Sequence, residues 1–321
     1  MAVTKFLDPK NDVAFRRIFG TAKNKDILIH FINDVLELKE GHKIKEVTFL
    51  PTIQVPEIAA KKQSIVDVLC KDEKGIQLII EMQASPQEGF EKRAQYYAAK
   101  AYSRQLNRGK QAGARYIDLK AVIFIAISDK IVFKDKACYK SDHVLLDKNS
   151  YAHDLQDFSF TFIELPKFNI TDINLLTNIM EKWCYFFKHA QATAEADLRK
   201  IIGLDPVIGR AYEELNQFNW TEEELLHYEQ ETKRIMDNKA AEDYMIKTAK
   251  AEGMEIGKAE GIEIGKAEGK AEGMEIGKAE GVQIGEARLL KMMLNNGSSM
   301  EEIASITHLS VGSIQKLLEV E

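Results

Sequence analysis

The sequence predicts an α/β protein: a mixed β-sheet flanked by helices, followed by an all-helical C-terminal region with a glycine repeat. Two observations predict the sheet. A predicted hairpin at residues 64–83 precedes an amphipathic helix, and an apolar run at 116–127 follows that helix. Strand, strand, helix and strand in this order are typical of a mixed sheet covered by helices. A third observation predicts the C-terminal region, because only helical patterns occur from residue 172 onward.

The composition is that of an ordinary globular chain, with 321 residues, 45% hydrophobic and 29% charged. Residues 1–10 do not resemble a secretory signal, and no run of 18 apolar residues occurs. The three cysteines lack the paired spacing of disulfides or zinc sites, so we expect buried thiols in a reducing, cytoplasmic environment. Because the net charge is −6, a nucleic-acid surface would have to be a local basic patch.

The N-terminal part predicts two helices and a short strand. A helix over 13–20 can be capped by Asp8 or Asn11 and is ended by Gly20. A more buried helix covers 25–38, where apolar residues recur at helical spacing. A short strand is predicted at 45–50, after which 55–62 leads into the hairpin.

The hairpin pairs apolar strands at 66–71 and 76–83. If 73–75 is a three-residue loop with Gly75 in the left-handed conformation, Asp67 lies directly opposite Glu81. The two-residue period of a strand then places Gln83 on the same face. The opposite face takes Leu78, Ile80 and Met82.

The opposed carboxylates are the clearest chemical signal in the chain. Opposed side chains on paired strands lie roughly 4.5–5.5 Å apart at Cβ, so Asp67 and Glu81 would repel unless a cation or basic group lies between them. Oxygen ligands of this kind suit a hard divalent cation such as Mg²⁺, which activates water and offsets charge on a phosphate. The spacing alone is common by chance and does not establish a metal site.

A basic segment follows the hairpin. The pattern at 87–108 predicts a long helix, with no acidic residue between Glu91 and Asp118. The cations in this interval are Lys92, Arg93, Lys100, Arg104, Arg108, Lys110 and Arg115. Such a segment is either a solvated helix face or a phosphate-facing surface, and its position beside the carboxylates favours the second. Arg93, Tyr96 and Tyr97 could equally serve in helix packing.

The rest of the first half predicts strands, and the region after it predicts helices. The run at 116–127 lacks polar alternation and predicts a strand covered on both faces. Further strands are predicted at 130–133, 143–146 and 158–164. Helices are predicted at 173–189, 190–202 and 206–218, and a long helix begins after Trp220 and runs toward Ala251.

Residues 250–288 form a repeat with the approximate unit AEGMEIGK. Glycine occupies every fourth position: Gly253, Gly257, Gly261, Gly265, Gly269, Gly273, Gly277, Gly281 and Gly285. An isolated helix would lose ~1 kcal/mol per glycine relative to alanine. We therefore favour a helical segment that self-associates through its small residues, and the alternative is a marginally ordered spacer. The charges exclude a membrane span.

Residues 289–321 have helix-turn-helix-like spacing. The second helix carries a single cation, Lys316, where a DNA-reading helix usually carries several polar or basic groups. We therefore expect a small packing module.

Several motifs, in order, resemble the Rpn family of recombination-promoting nucleases and transposases in the PD-(D/E)XK nuclease superfamily. The motifs are FLDPKNDVAFRRIFG from Phe6, VDVLCKDEKGIQLIIEMQ from Val66, F-x2-R-x2-YY from Phe90, YSRQLNRG from Tyr102 and Y-x2-LKAVIFIAI from Tyr116. The specific resemblance covers residues 5–127, and the glycine repeat also looks like the variable C-terminus of this family.

The resemblance implies a restriction-endonuclease-like fold and a magnesium-dependent DNA endonuclease that promotes recombination. Asp67 and Glu81 match the two metal-binding acids of the superfamily, and Gln83 stands in the place of its usual lysine. Lys10 and Asp12 belong to a matched motif and are possible additional catalytic residues. We expect Arg93, Lys100, Arg104 and Arg108 to bind the DNA backbone.

We divide the chain into a nuclease-like domain (1–170), a helical region (171–249), the repeat (250–288) and the C-terminal module (289–321). We expect a homo-oligomer formed through the repeat. The alternative function is a catalytically weak or inactive nuclease-fold protein that acts as a DNA-binding or self-associating module.

Overall fold

The computed structural model describes residues 4–54, 64–85, 88–106, 115–203 and 205–319. The chain divides into two compact units, Met1–Ala241 and Glu242–Glu321. The predicted lead-in at 55–62 and the cations Arg108 and Lys110 lie outside the described residues. None of the helices in the described ranges has the length and apolar character needed to cross a membrane.

The first unit is built on a mixed sheet. The described residues form eight strands: β1 Val47–Phe49, β2 Ile53–Gln54, β3 Ser64–Ile65, β4 Val68–Asp72, β5 Gln77–Gln83, β6 Val122–Ser128, β7 Lys140–Val144 and β8 Phe158–Glu164. Six of them form one sheet in the order β1-β4-β5-β6-β8-β7, and β2 pairs with β3 separately. The pairs β5–β6 and β6–β8 are parallel, whereas the other pairs are antiparallel. The predicted α/β class with a mixed sheet is confirmed.

Nine α-helices occur in the described ranges: α1 Asp12–Phe19, α2 Lys25–Val35, α3 Phe90–Ser103, α4 Ile179–His189, α5 Glu195–Ile202, α6 Pro206–Leu215, α7 Glu222–Asn295, α8 Met300–Thr307 and α9 Val311–Leu318. The first helix begins where Asn11 caps it, since the Asn11 side chain accepts a hydrogen bond from the Val13 N–H. Each helix predicted within the first unit is present, although most are shorter than their sequence patterns.

Two apolar cores cover the two faces of the sheet. Helices α1, α2, α4, α5 and α6 pack on one face, and α3 packs on the other. Strand β5 alternates between the cores as predicted, because Leu78, Ile80 and Met82 belong to the first and Ile79 to the second. Strand β6 contributes apolar side chains to both cores, which confirms the prediction of a strand covered on both faces.

The prediction of a strand at 130–133 is wrong. This segment is irregular, and the N–H groups of Val132 and Phe133 donate to the buried carboxylate of Glu164 at 2.6 and 3.0 Å. Lys167 Nζ donates to the same carboxylate at 2.7 Å. The short apolar run has the composition of a strand. Its backbone N–H groups, however, donate to a side chain about 30 residues later in the sequence and not to a neighbouring strand.

Two further boundaries differ from the prediction. Strand β7 begins at Lys140 and ends at Val144, earlier than the predicted 143–146. The helix predicted from residue 173 starts at Ile179, because the Asn178 side chain caps it by accepting a hydrogen bond from the Glu181 N–H.

The second unit contains the glycine repeat within α7. Residues 250–286 are exposed, and a Cβ placed on any of the nine repeat glycines would meet nothing within 4 Å beyond the adjacent backbone of its own helix. Self-association through the repeat stays a prediction. At the end of the chain, Leu290, Ile303 and Ile314 form a small core between the end of α7, α8 and α9.

Candidate active site

The hairpin has the predicted register. Val68 pairs with Ile80 and Cys70 with Leu78, so one further step along the ladder places Asp67 opposite Glu81. Gly75 has a φ of 87°, and the Asp72 N–H donates to the Ile76 carbonyl at 3.0 Å across the turn. The left-handed glycine thus sets which side chains face each other.

Reciprocal hydrogen bonds hold the two carboxylates in place. The Asp67 N–H donates to Glu81 Oε2 at 3.1 Å, and the Met82 N–H donates to Asp67 Oδ2 at 2.9 Å. Asp67 is 8% exposed and Glu81 is 6% exposed. Each carboxylate is therefore oriented by a backbone donor from the opposite segment and keeps its second oxygen for other partners.

The pKa values show the cost of burying these two acids. Burial raises the pKa of Asp67, against hydrogen bonding by Met82 and the charges of Arg16 and Arg93. Burial, and after it the negative charge of Asp67, together raise the pKa of Glu81 to about 8. A cation between the two carboxylates would relieve both effects.

Asp12 joins this pair, whereas Lys10 does not. Asp12 lines the same cavity, and burial together with the charges of Asp67 and Glu231 raises its pKa to about 6. Lys10 Nζ lies 3.0 Å from Asp8 Oδ1 and 3.3 Å from the Phe187 carbonyl, and this side chain does not line the cavity.

Gln83 is tied to helix α3. This side chain is 9% exposed, and its Nε2 donates to the Ser85 carbonyl. Its Oε1 accepts a hydrogen bond from Arg93 Nη2, which also lies 3.6 Å from Glu81 Oε1. The structure therefore places Arg93 inside the site, in contact with two of its predicted members.

The other predicted DNA-binding cations lie farther along α3. The rise of an α-helix separates the Cα atoms of Lys100 and Arg93 by about 10 Å. Lys100 Nζ lies 5.8 Å from the centroid of the Tyr96 ring, and Arg104 follows the last residue of α3. Neither side chain lines the cavity.

Helix α7 supplies residues that the sequence interpretation missed. Glu231, Arg234 and Asn238 line the cavity, and Arg234 Nη2 lies 3.6 Å from Asp12 Oδ2. In the sequence they belong to a long, highly charged helix whose residues look solvated. No local motif singles them out.

The N-terminal motif holds this part of α7 in position. The Asp8 N–H donates to the Tyr228 hydroxyl at 2.9 Å. Asn11 Nδ2 donates to the Tyr228 carbonyl at 3.2 Å and to Thr232 Oγ1 at 3.0 Å. Part of the matched N-terminal motif therefore docks α7 at the site, which only its tertiary contacts reveal.

The result is a solvent-open cavity of about 530 Å³. Among the described residues, four carboxylates and three guanidinium groups line it. The carboxylates belong to Asp12, Asp67, Glu81 and Glu231, and the guanidinium groups belong to Arg16, Arg93 and Arg234. Acidic ligands for a cation and basic groups for an anion thus share one cavity.

Two of these carboxylates could hold a divalent cation that keeps most of its coordinated water. Within the described ranges, no group of three or more His, Cys, Asp or Glu residues is arranged to hold a metal ion. Mg²⁺ keeps several waters and commonly uses one or two carboxylates together with substrate phosphates. Asp67 and Glu81 are the two carboxylates that could hold a cation in this way.

Comparison with known proteins gives one family. A family described as PD-(D/E)XK nuclease family transposase matches residues 9–245. The matched segment includes every residue that lines the cavity. Neither the curated proteins nor the solved structures gave a match.

Proposed function

We propose that this chain, which belongs to the PD-(D/E)XK nuclease family transposases, is a metal-dependent DNA endonuclease. Membership in the family gives a nuclease-like function. One observation supports the finer assignment: two buried carboxylates, each held by a backbone N–H (that of Met82 for Asp67 and that of Asp67 for Glu81), face a solvent-open cavity that also contains arginines. This arrangement combines ligands for a divalent cation with donors for a phosphate.

Asp67 and Glu81 would hold Mg²⁺. When bound, this ion lowers the pKa of a coordinated water and offsets negative charge on the phosphate. Gln83 would orient the attacking water. Its amide oxygen has two lone pairs, and since Arg93 uses one, the second can accept a hydrogen bond from water.

The reaction is hydrolysis of a phosphodiester. The water oxygen forms a bond to phosphorus and gives up a proton, the bond from phosphorus to one ester oxygen breaks, and that oxygen leaves with a proton from solvent. Asp12 is a candidate to take up the proton of the water. Its pKa of about 6 keeps the carboxylate largely ionised above neutral pH.

The DNA backbone would lie across the mouth of the cavity and along α3. The side chains of Arg16 and Arg234 are 47% and 58% exposed, so both can reach phosphate oxygens. Lys100 and Arg104 extend the positive charge along and just beyond α3. Arg108, which lies outside the described residues, stays a predicted backbone contact.

Plasmid nicking by the purified full chain tests this function. We expect wild-type protein to nick supercoiled DNA in Mg²⁺ and to lose this activity in EDTA. Asp67→Asn should abolish nicking without lowering the melting temperature, because the amide keeps the shape and removes the charge. Equal cleavage by wild type and Asp67→Asn would overturn the assignment.

The second candidate is a catalytically weak or inactive DNA-binding protein on the same fold. The observation that favours it is the contact from Arg16 Nη2 to Asp67 Oδ1 at 3.1 Å, because this guanidinium competes with a metal for that oxygen. This candidate predicts salt-sensitive DNA binding without cleavage, unchanged in Asp67→Asn. Calorimetric titration of Mg²⁺ into wild type and Glu81→Ala separates the two candidates.

We also propose that the chain forms a homo-oligomer through the repeat. Removing residues 250–288 should lower the number of chains per particle, obtained by dividing the native mass from light scattering by the mass of one shortened chain. An unchanged number of chains would exclude the repeat as the oligomerisation element.

A further inference from the structure

We infer that Arg93 supplies, from helix α3, the positive charge that position 83 lacks because its residue is glutamine and not lysine. This inference rests on the proposed nuclease function and assigns a role within that site. It also distinguishes Arg93 from the cations farther along the same segment.

The contacts of Arg93 carry the inference. Its Nη2 donates a hydrogen bond to Gln83 Oε1 and lies 3.6 Å from Glu81 Oε1. The guanidinium therefore touches the end of the Gln83 side chain and the edge of a proposed metal ligand. A lysine at position 83 would place its ammonium group in the same part of the cavity.

Packing fixes the guanidinium in that position. Its central carbon lies 4.9 Å from the centroid of the Phe90 ring and 5.9 Å from that of Tyr97, and these residues are one helical turn before and after Arg93. Phe90 packs in turn against Phe162 of β8, with ring centroids 6.0 Å apart. The Arg93 guanidinium is thus held against the sheet through Phe90, so its side chain needs little rearrangement when substrate binds.

Arg93 also has unused hydrogen-bonding capacity. Its side chain is 23% exposed, and its buried Nε has no hydrogen-bond partner within the described ranges. A buried donor without a partner is costly, and a phosphate oxygen entering the cavity is a partner of the right chemistry. A guanidinium offers five N–H donors, so contacts with Gln83 and with a phosphate are compatible.

The other arginines of the cavity are placed differently. Arg16 Nη2 lies 3.1 Å from Asp67 and Arg234 Nη2 lies 3.6 Å from Asp12, and both side chains are about half exposed. Within the described ranges, Arg93 is the cation that contacts Gln83. It is therefore the group placed to stabilise charge that develops on the phosphate during the reaction.

Exchanging the charge between the two positions tests this role. The variants are Arg93→Met, which removes the charge, and Gln83→Lys/Arg93→Met, which moves it to the strand. Arg199→Met, on the exposed surface of α5, is the matched control. Steady-state cleavage in Mg²⁺ gives kcat and KM, calorimetry gives the Mg²⁺ affinity and thermal unfolding reports folding.

We expect Arg93→Met to lower kcat by about 10²–10³-fold. Its Mg²⁺ affinity should be unchanged or higher, because a competing cation near Glu81 is gone. The double variant should recover at least about 10-fold in kcat over Arg93→Met, and Arg199→Met should match wild type. Arg93→Lys, which keeps the charge, should fall between wild type and Arg93→Met. Arg93→Gln, which removes the charge and keeps a hydrogen-bond donor, replaces Arg93→Met if that protein does not fold.

Three results overturn the role and differ from failure of the proposed function. Full kcat in Arg93→Met excludes it, and so does a raised KM with unchanged kcat, which would mark Arg93 as a simple backbone contact. A double variant that is folded, binds Mg²⁺ and shows no recovery also excludes it. If the wild-type protein does not cleave DNA, the proposed function itself fails and this role fails with it.

Discussion

The β4–β5 hairpin and the glycine repeat are the two most regular patterns in the sequence, and they have opposite environments. In the hairpin, Asp67, Glu81 and Gln83 are buried, and the side chain of each accepts a hydrogen bond from another group of the same chain. In the repeat, residues 250–286 are exposed, and a Cβ added at any of the glycines would meet nothing within 4 Å beyond the adjacent backbone of its own helix. The hairpin finds its partners within the same chain. A self-associating repeat would need a second chain.

The contrast between the hairpin and the repeat shows which sequence patterns determine how side chains are placed in space. A tight turn fixes strand register, and register fixes which side chains face each other, so two carboxylates 14 positions apart are placed by local rules. A four-residue glycine period determines no such geometry, because on a helix of 3.6 residues per turn it drifts by roughly 40° per step.

The largest effect is expected from Glu81→Gln. Removing this charge should lower cleavage at least about 100-fold, because a proposed metal ligand is lost. It should also stabilise the metal-free protein at pH 8, since the buried charge no longer repels Asp67. Each kcal/mol gained raises the melting temperature of a unit this size by about 2–4 °C. Thermal unfolding in EDTA and plasmid nicking in Mg²⁺ measure the two effects.

Glu213→Gln, on the exposed side of α6, is the control and should change neither quantity. A Glu81→Gln protein that melts at a lower temperature than wild type would contradict the interpretation that repulsion at the hairpin destabilises the fold.

The pH dependence of stability sharpens the same point. Asp12, Asp67 and Glu81 all have raised pKa values, to about 6 for Asp12 and about 8 for Glu81. Above the ordinary carboxyl pKa of about 4, the folded state therefore holds more protons than the unfolded state. Stability from these groups is present at low pH and is lost as pH rises toward about 8.

Mg²⁺ should oppose that loss, because the ion replaces the bound protons. Melting temperatures measured with Mg²⁺ and with EDTA should nearly coincide near pH 5 and diverge as the pH rises to 8. In Glu81→Gln the divergence should shrink. Parallel curves for wild type, with no growth of the Mg²⁺ effect, would contradict a metal site formed by these carboxylates.

A smaller effect is expected from Asn11→Ala. This change removes the cap of α1 and the two hydrogen bonds to α7, and loss of a cap alone costs about 0.5–2 kcal/mol. Because α7 carries Arg234 into the cavity, KM for DNA should rise as well. Chemical denaturation and steady-state cleavage measure both. Arg199→Met, on the exposed surface of α5, is the control, and equal effects from the two changes would argue against docking of α7 by Asn11.

The sequence was sufficient for the hairpin, the mixed sheet and the burial of β6, because turn chemistry and apolar periodicity act over short distances. It was not sufficient for the irregular segment at 130–133, whose backbone donors are satisfied by Glu164 from a distant strand. The sequence interpretation also missed Glu231 and Arg234. These residues reach the cavity because Asp8 and Asn11 form hydrogen bonds with Tyr228 of α7, which lies more than 200 residues farther along the chain. Local patterns carry no signal for contacts of that kind.

The smallest effect on catalysis is expected from changes in the repeat, and it separates the two interpretations of that region. Replacing Gly257, Gly261, Gly265 and Gly269 by alanine adds Cβ atoms that meet nothing within 4 Å in the single chain. Each change should favour the helix by up to about 1 kcal/mol. Circular dichroism should therefore show helix melting at a higher temperature, with nicking activity unchanged.

The native mass of this variant decides what the glycines are for. If chains associate by close approach of their helices, the added methyl groups should separate the backbones and lower the mass, even though the isolated helix has become more stable. If the segment is a spacer, only its helical stability should rise. A gain in helicity together with a loss of association would show that the glycines are retained for contact between chains, because the single helix would be more stable without them.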